Sequence, residues 1–121
     1  MKDISEELAQ AIQRYLESGI ESDKIIVDPG IGFGKTIEHN LEIISRLDKF
    51  RLLNHPILVG PSRKSFIGHI LNTDVTDRLF GTVACVCACV TKGAHIVRVH
   101  DVKASKQAAL MMDAVMNVKQ N

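Results

Sequence analysis

Tryptophan is absent from this 121-residue chain, and the other aromatics amount to one Tyr and four Phe. Base-stacking platforms are built from such rings, so their scarcity argues against nucleic-acid binding. An excess of charge of one sign is also lacking. Fifteen Lys and Arg against fourteen Asp and Glu leave a net charge of +1, which gives no global field to recruit nucleic acid or an anionic membrane. No apolar run approaches the ~20 residues of a membrane-spanning helix. The opening Met1-Lys2-Asp3-Ile4-Ser5-Glu6 lacks the apolar core of a secretory leader, which predicts a cytoplasmic protein. The length bounds the chain to one domain or part of one.

Cysteine is scarce and confined to one place. Cys85, Cys87 and Cys89 alternate within an apolar stretch from Val83 to Val90. One-residue spacing is not a zinc pattern, and an odd number is not a disulfide framework. Reduced thiols packed as small hydrophobes are expected.

What the chain does have is a glycine-rich stretch around which the rest is organised: Ile25-Ile26-Val27-Asp28-Pro29-Gly30-Ile31-Gly32-Phe33-Gly34-Lys35-Thr36. The β-branched run reads as a buried strand ending in a carboxylate. Alternate glycines then form a loop whose backbone can approach a ligand closely. Two common phosphate motifs fail here by one residue each. A Walker A loop would need Gly where Pro29 stands, and Gly30, Gly32 and Gly34 are evenly spaced, unlike a dinucleotide fingerprint. A plain strand-to-helix turn is the simpler alternative at this level.

Along the chain, residues 3–18 read as a helix, with Asp3 and Glu6 as a capping box and Ile4, Leu8, Ala11, Ile12, Tyr15 and Leu16 on one packed face. A strand over 25–28 follows. A second helix is predicted from Thr36 to Phe50, with Ile37, Leu41, Ile44 and Leu47 as its buried stripe. His39 and Asn40 stand in its first turn, where capping or packing competes with ligand contact. A turn over 51–56 leads to a strand over 57–60, a polar end Pro61-Ser62-Arg63-Lys64-Ser65, and a short helix to Leu71. The next helix is placed over 76–92, capped by Asp74 or Thr76. Its apolar middle predicts burial on more than one face, with a partner subunit as a candidate cover. Arg78 near its start reads as exposed or ion-paired. A third strand and its end span 95–102, with Ile96, Val97 and Val99 buried, and a last helix runs over 103–118. The tail 119–121 reads as frayed.

This α-β-α-β-α-β-α order repeats a βα unit every ~30–40 residues, the spacing of an eightfold α/β barrel of ~250 residues. The fold class is therefore α/β, with about the last three parallel strands of a partial (β/α)8 TIM barrel and their helices. Residues 1–121 are read as a C-terminal segment of one barrel domain. Right-handed crossovers bring the C-terminal strand ends to one rim. Asp28, the Ser62-Arg63-Lys64 run and Arg98-x-His100 should face a common mouth. A carboxylate accepts two parallel N–H donors, a guanidinium stacks on a flat ring or forks around phosphate, and Lys64 supplies a mobile point charge. The set suits a flat, nitrogen-rich heterocycle carrying phosphate. The alternative is that Asp28 simply pairs with Lys64 or Arg98.

Three motifs carry a family resemblance. Asp28-Pro29-Gly30-Ile31-Gly32-Phe33-Gly34-Lys35-Thr36, Leu58-Val59-Gly60-Pro61-Ser62-Arg63-Lys64-Ser65 and Arg98-Val99-His100-Asp101-Val102, with Gly81-Thr82 between the last two, resemble the dihydropteroate synthases of the folate pathway. The resemblance implies a transferase that joins 6-hydroxymethyl-7,8-dihydropterin pyrophosphate to p-aminobenzoate and releases pyrophosphate, with Mg²⁺. By the family pattern Asp28 hydrogen-bonds the pterin, and Lys64 contacts it beside the p-aminobenzoate pocket. Gly32 and Phe33 line that pocket, while Ser62 and Arg63 shape its p-aminobenzoate side. Arg98 stacks on the pterin and, with His100, holds the leaving pyrophosphate. Lys64, Arg98 and His100 are thus the expected catalytic set. The family's Asn-Val-Thr-Pro-Asp-Ser-Phe and Ser-Thr-Arg-Pro-Gly type loops do not occur here. The Mg²⁺ ligand is therefore expected outside this chain, and these residues alone are expected to be inactive or nearly so. A homodimer through the C-terminal helices, pterin pyrophosphate and p-aminobenzoate as ligands, and membership of a family that is a sulfonamide target complete what the resemblance implies. A non-catalytic barrel scaffold, keeping the pterin-binding or dimer surface, is the competing reading.

Overall fold

The structure is a computed structural model and describes residues 1–119. Of the predicted tail, Lys119 is exposed, and Gln120 and Asn121 lie outside the described residues. Helix α1 spans Lys2–Glu17. Its cap is Met1, two residues before the Asp3 of the capping-box reading, and makes no side-chain cap bond. Asp3 sits instead in the first turn, where its charge suits the helix dipole. Ile4, Leu8 and Ile12 pack on the core, whereas Tyr15 and Leu16, expected on the packed face, are exposed as the helix runs past the core's edge.

Helix α2 spans Ile37–Ser45 and is capped by Thr36, whose Oγ1 accepts the His39 N–H at 3.1 Å. It ends earlier than predicted and gives way to a 3₁₀ helix over Leu47–Leu53. Three residues per turn align Leu47, Phe50 and Leu53, and the first two are fully buried. The predicted stripe is corrected too. Leu41 points out, and Ile43, Ile44 and Asn40 point in.

Strands β1 (Leu58–Val59) and β2 (Ile96–Val97) run parallel, pairing Leu58 with Ile96 and Val59 with Val97. Val27 joins the other side of the central strand by a parallel bridge to Ile57. Its N–H donates to the Pro56 carbonyl at 2.9 Å, and its carbonyl accepts the Leu58 N–H at 2.8 Å. The ladders are shorter than the strands predicted over 25–28, 57–60 and 95–102. Only the central segment has neighbours on both sides among the described residues.

Paired residues of a parallel sheet share a face, and successive residues alternate. Val27, Ile57 and Val59 are buried under the helices. On the opposite face Ile26 is 52% and Ile96 38% exposed, so that face of the sheet is open. On that open face Asp28 stands level with Leu58 and Ile96, and Gly60 and Arg98 stand one step further along.

Helix α3 spans Ser65–Leu71, as predicted. Helix α4 spans Leu79–Thr91, three residues short at its start. Asp74 does not cap it but accepts the Thr76 N–H at 2.9 Å and the Thr76 hydroxyl in a turn of its own. Thr82, Val86, Cys89 and Val90 form its buried arc. Its outer cover is α5 (Val102–Met116) of the same chain, in the place where a partner subunit was considered. Gly81 lets α3 approach, since a Cβ there would meet Ile67 and Leu71. The core is completed by Phe66, Ile67 and Ile31. Each such side chain contributes about 1.5–3 kcal/mol by burial. No helix of the described residues is long and apolar enough to cross a membrane.

Candidate active site

The first strand end builds a rigid glycine loop. Asp28 Oδ1 accepts the Gly30 N–H at 2.8 Å, and the Phe33 N–H donates to the Gly30 carbonyl at 3.1 Å. Lys35 folds back, with Nζ donating to the carbonyls of Gly30 at 2.8 Å and Phe33 at 3.2 Å. The lysine that a phosphate loop would offer to a nucleotide is thus spent on its own backbone. Buried Asn40, on α2, accepts the Gly32 N–H at 2.7 Å. Gly32 has φ +88°, a conformation that side chains disfavour.

The second strand end meets the first through Lys64. Its aliphatic stem lies along Gly32, where a Cβ would come 2.8 Å from Cδ. Its Nζ sits 4.2 Å from the centre of the exposed Phe33 ring. A cation over an aromatic face is worth about 0.5–1 kcal/mol when exposed. Lys64 is therefore held beside Phe33, and the cation that pairs with the Asp28 carboxylate is Arg98.

The third strand end reaches both others. Arg98 Nη2 lies 3.8 Å from Asp28 Oδ2. The guanidinium crosses Gly60, where a Cβ would stand 3.1 Å from Nη2. The absent side chain of the middle strand opens a path between the outer two. Buried Ser62 holds His100 twice. Its Oγ accepts the His100 backbone N–H at 3.1 Å and lies 2.8 Å from Nδ1.

Arg63 behaves differently from the other expected ligand contacts. Its guanidinium forks onto Asp101 at 2.9 and 3.2 Å. The hydrogen bonds and charge of that pair hold the Asp101 carboxyl below its ordinary value and raise Arg63 above its own. The Arg63 backbone is left-handed, with φ +57°. Its N–H donates to Thr82 Oγ1 at 3.0 Å, and its carbonyl accepts from Arg78 Nη1 at 2.9 Å. Arg78, expected to be exposed or ion-paired, is half-buried and bonded to backbone.

Asp28, Gly32, Phe33, Ser62, Lys64, Arg98 and His100 therefore form linked groups on one rim. Sequence reasoning did not assign Lys35, Asn40, Arg78, Thr82 or Asp101 a part in it. Asn40 had the available signal of a polar residue in the first turn behind a glycine loop, and Asp101 that of a carboxylate next to His100. No three His, Cys, Asp or Glu side chains among the described residues converge on a metal-sized site. Asp28 is already engaged by Gly30 and Arg98, so these residues do not by themselves fit Mg²⁺.

Residues 1–100 match the family model described as pterin binding enzyme. The chain is 44% identical over 112 residues to the dihydropteroate synthase of Escherichia coli K12, an alignment covering 93% of this chain and 40% of that protein. It superposes at a TM-score of 0.95 and 38% identity on a Yersinia pestis dihydropteroate synthase in complex with a sulfonamide drug, covering 98% of this chain and 43% of the other. A Coxiella burnetii dihydropteroate synthase in complex with pteroic acid gives a TM-score of 0.94 at 39% identity, covering 97% of this chain and 45% of that one. The chain thus spans about two fifths of the length of the curated relative. Matched in sequence over most of its length and in structure at a high TM-score, the chain belongs to the pterin binding enzyme family.

Proposed function

We propose that this chain supplies the pterin- and pyrophosphate-holding rim of a dihydropteroate synthase. In that reading, residues 1–121 are the last three strands and helices of a (β/α)8 barrel. The other strands would cover Ile26 and Ile96, exposed on the open sheet face. The reaction joins 6-hydroxymethyl-7,8-dihydropterin pyrophosphate to p-aminobenzoate. The amine nitrogen bonds to the pterin methylene carbon and sheds a proton. The bond from that carbon to pyrophosphate oxygen breaks, and its electron pair leaves with pyrophosphate.

The observation that carries the proposal is the reach of Arg98 over Gly60 to Asp28. A carboxylate and a planar cation stand together on one open face, with no side chain between them. Asp28 Oδ2 would accept ring N–H donors while Arg98 stacks on the ring. Arg98 and His100 would hold the leaving pyrophosphate, with Ser62 fixing His100 at both backbone and ring. Lys64 would bring charge to the pterin beside the p-aminobenzoate pocket, where Gly32 and Phe33 form a wall. Ser62 and Arg63 would bound its other side. The contribution is placement and charge stabilisation, with no covalent nucleophile. The Mg²⁺ that the family resemblance implies would be held by ligands outside this chain.

The reading includes a cytoplasmic setting, consistent with the free thiols of Cys85, Cys87 and Cys89. It also includes a homodimer through α4 and α5, supported by exposed Phe80, Leu110, Met111 and Val115. A scaffold role without turnover is the second reading, favoured by the open sheet face. The test is calorimetric titration of the chain with 6-hydroxymethylpterin. Saturable binding lost in Asp28→Ala is expected, with dihydropteroate formation returning on addition of the complementing strands. Binding indifferent to Asp28→Ala, or none by a folded and complemented barrel, would overturn the proposal. Binding without turnover in the complemented barrel would leave the scaffold reading.

A further inference from the structure

Arg63 is the one residue of the Pro61–Lys64 loop with a left-handed backbone, φ +57°. It is neither Gly nor Asn, and an L-residue with a long side chain stays there only where its surroundings hold it. Both of its backbone polar groups are taken by side chains of one short segment. The N–H goes to Thr82 Oγ1 at 3.0 Å and the carbonyl to Arg78 Nη1 at 2.9 Å. Thr82 is fully buried in α4. Arg78 packs across Gly68 of α3, where a Cβ would lie 2.7 Å from its Nε. That Nε is buried without a partner, a cost that the bond to the Arg63 carbonyl offsets.

We infer that Thr82 and Arg78 are positioning residues: they hold Arg63 left-handed, and so set the directions in which Ser62 and Lys64 leave the loop. Residue 63 is the pivot between them. Before it, Ser62 turns to His100; after it, Lys64 turns to Gly32 and Phe33. Relaxation of residue 63 to a right-handed or extended backbone would re-aim Lys64 relative to Ser62. The functional meaning of this rests on the proposed pterin site, but the geometry does not.

The test uses Thr82→Val, which keeps the buried shape without the hydroxyl, and Thr82→Ser, which keeps the hydroxyl. Two readouts need no ligand: hydrogen exchange of the Arg63 amide, and the nuclear Overhauser effect between the Lys64 ε-protons and the Phe33 ring. Thr82→Val is expected to speed exchange at residue 63 at least tenfold and to abolish the Lys64–Phe33 effect, and Thr82→Ser to restore both. A third readout is the affinity for 6-hydroxymethylpterin, expected to fall about tenfold in Thr82→Val. With Arg63→Gly in the background, a residue that takes positive φ freely, the Thr82→Val penalty should shrink to less than about threefold. Unchanged exchange and an intact Lys64–Phe33 effect in Thr82→Val would overturn the inference. Loss of both, without pterin binding by any variant or by the unsubstituted chain even when complemented by the missing strands, would uphold it and sink the functional proposal instead.

Discussion

The guanidinium of Arg98 lies 3.8 Å from the carboxylate of Asp28, and it gets there by crossing the bare backbone of Gly60. The pair is solvent-accessible and contributes little to stability. Its value lies in placement, since the cation and the carboxylate belong to the two outer segments of the sheet.

Gly60→Ala should therefore separate binding from folding. Its backbone is not left-handed, so Ala fits the main chain, but the new Cβ would stand 3.1 Å from Nη2 of Arg98. The guanidinium must give way by a few tenths of an ångström, which disturbs its 3.8 Å approach to Asp28. We expect stability to change by less than about 1 kcal/mol and affinity for 6-hydroxymethylpterin to fall about tenfold, or ~1.4 kcal/mol. Urea unfolding and calorimetric titration of the same preparation give both numbers. Unchanged affinity would show that the crossing over Gly60 is incidental.

Asn40→Ala should do the reverse and cost stability first. Asn40 is 3% exposed, and its Oδ1 accepts the Gly32 N–H at 2.7 Å. Removal leaves that amide without its partner and opens a small void. A loss of about 1–3 kcal/mol is expected, with faster exchange at the Gly32 amide. Asn40→Asp retains an acceptor and should lose less. Equal losses for Ala and Asp would mean that packing, not the bond to Gly32, explains the burial.

Much of the rim was legible in the sequence because strand ends announce themselves. Apolar runs that stop at Asp28, Gly60 and Arg98 bring those residues to one rim, although the register sets Asp28 level with Leu58, two residues before Gly60 and Arg98. The partnering of those ends was less legible. Asp28 had two candidate cations, and only the glycine at position 60 decides for Arg98. Through the family resemblance Arg63 is expected to be a ligand contact, beside Ser62 and Lys64. Its side chain turns to Asp101, and its left-handed backbone depends on α4, nineteen residues on from Arg63 to Thr82. Periodicity could not see such a contact. Nor could it see where an α-helix tightens into a 3₁₀ turn, as at Leu47, because both patterns bring an apolar residue round every three positions.

The Arg63–Asp101 pair makes a pH prediction. Hydrogen bonding and charge from Arg63 depress the Asp101 pKa below 3.8. A depressed carboxylate pKa contributes stability that is present above the unfolded value of about 3.9 and is lost as pH falls through the folded value. The window is thus strongly acidic, and the pair does nothing for stability change near neutrality. Carbon-13 titration of the Asp101 carboxyl should give a midpoint below 3.8 that rises towards it in Arg63→Gln. Asp74, depressed by its own bonds from Thr76, should not move with that substitution and serves as the internal control. An Asp101 midpoint unaffected by Arg63→Gln would refute the assignment of cause.

The thiols of α4 make the last prediction. Burial pushes the Cys85 thiol up to about 11, and burial with the neighbouring Cys85 pushes Cys89 up to about 12. Alkylation proceeds through the thiolate, so at pH 8 the reactive fractions are about 10⁻³ and 10⁻⁴ respectively. Both side chains lie on the inward arc of the helix, and Cys89 has no exposed surface. Iodoacetamide at pH 8 should leave Cys85 and Cys89 unmodified in the folded chain and modify both once urea unfolds it. Peptide mass mapping before and after unfolding reads the difference at each position. Rapid native-state labelling of Cys89 would mean that α4 opens on the timescale of the reaction. The helix would then be too loose to hold the Arg63 backbone through Thr82, since Cys89 lies two turns along from Thr82 on the same buried arc.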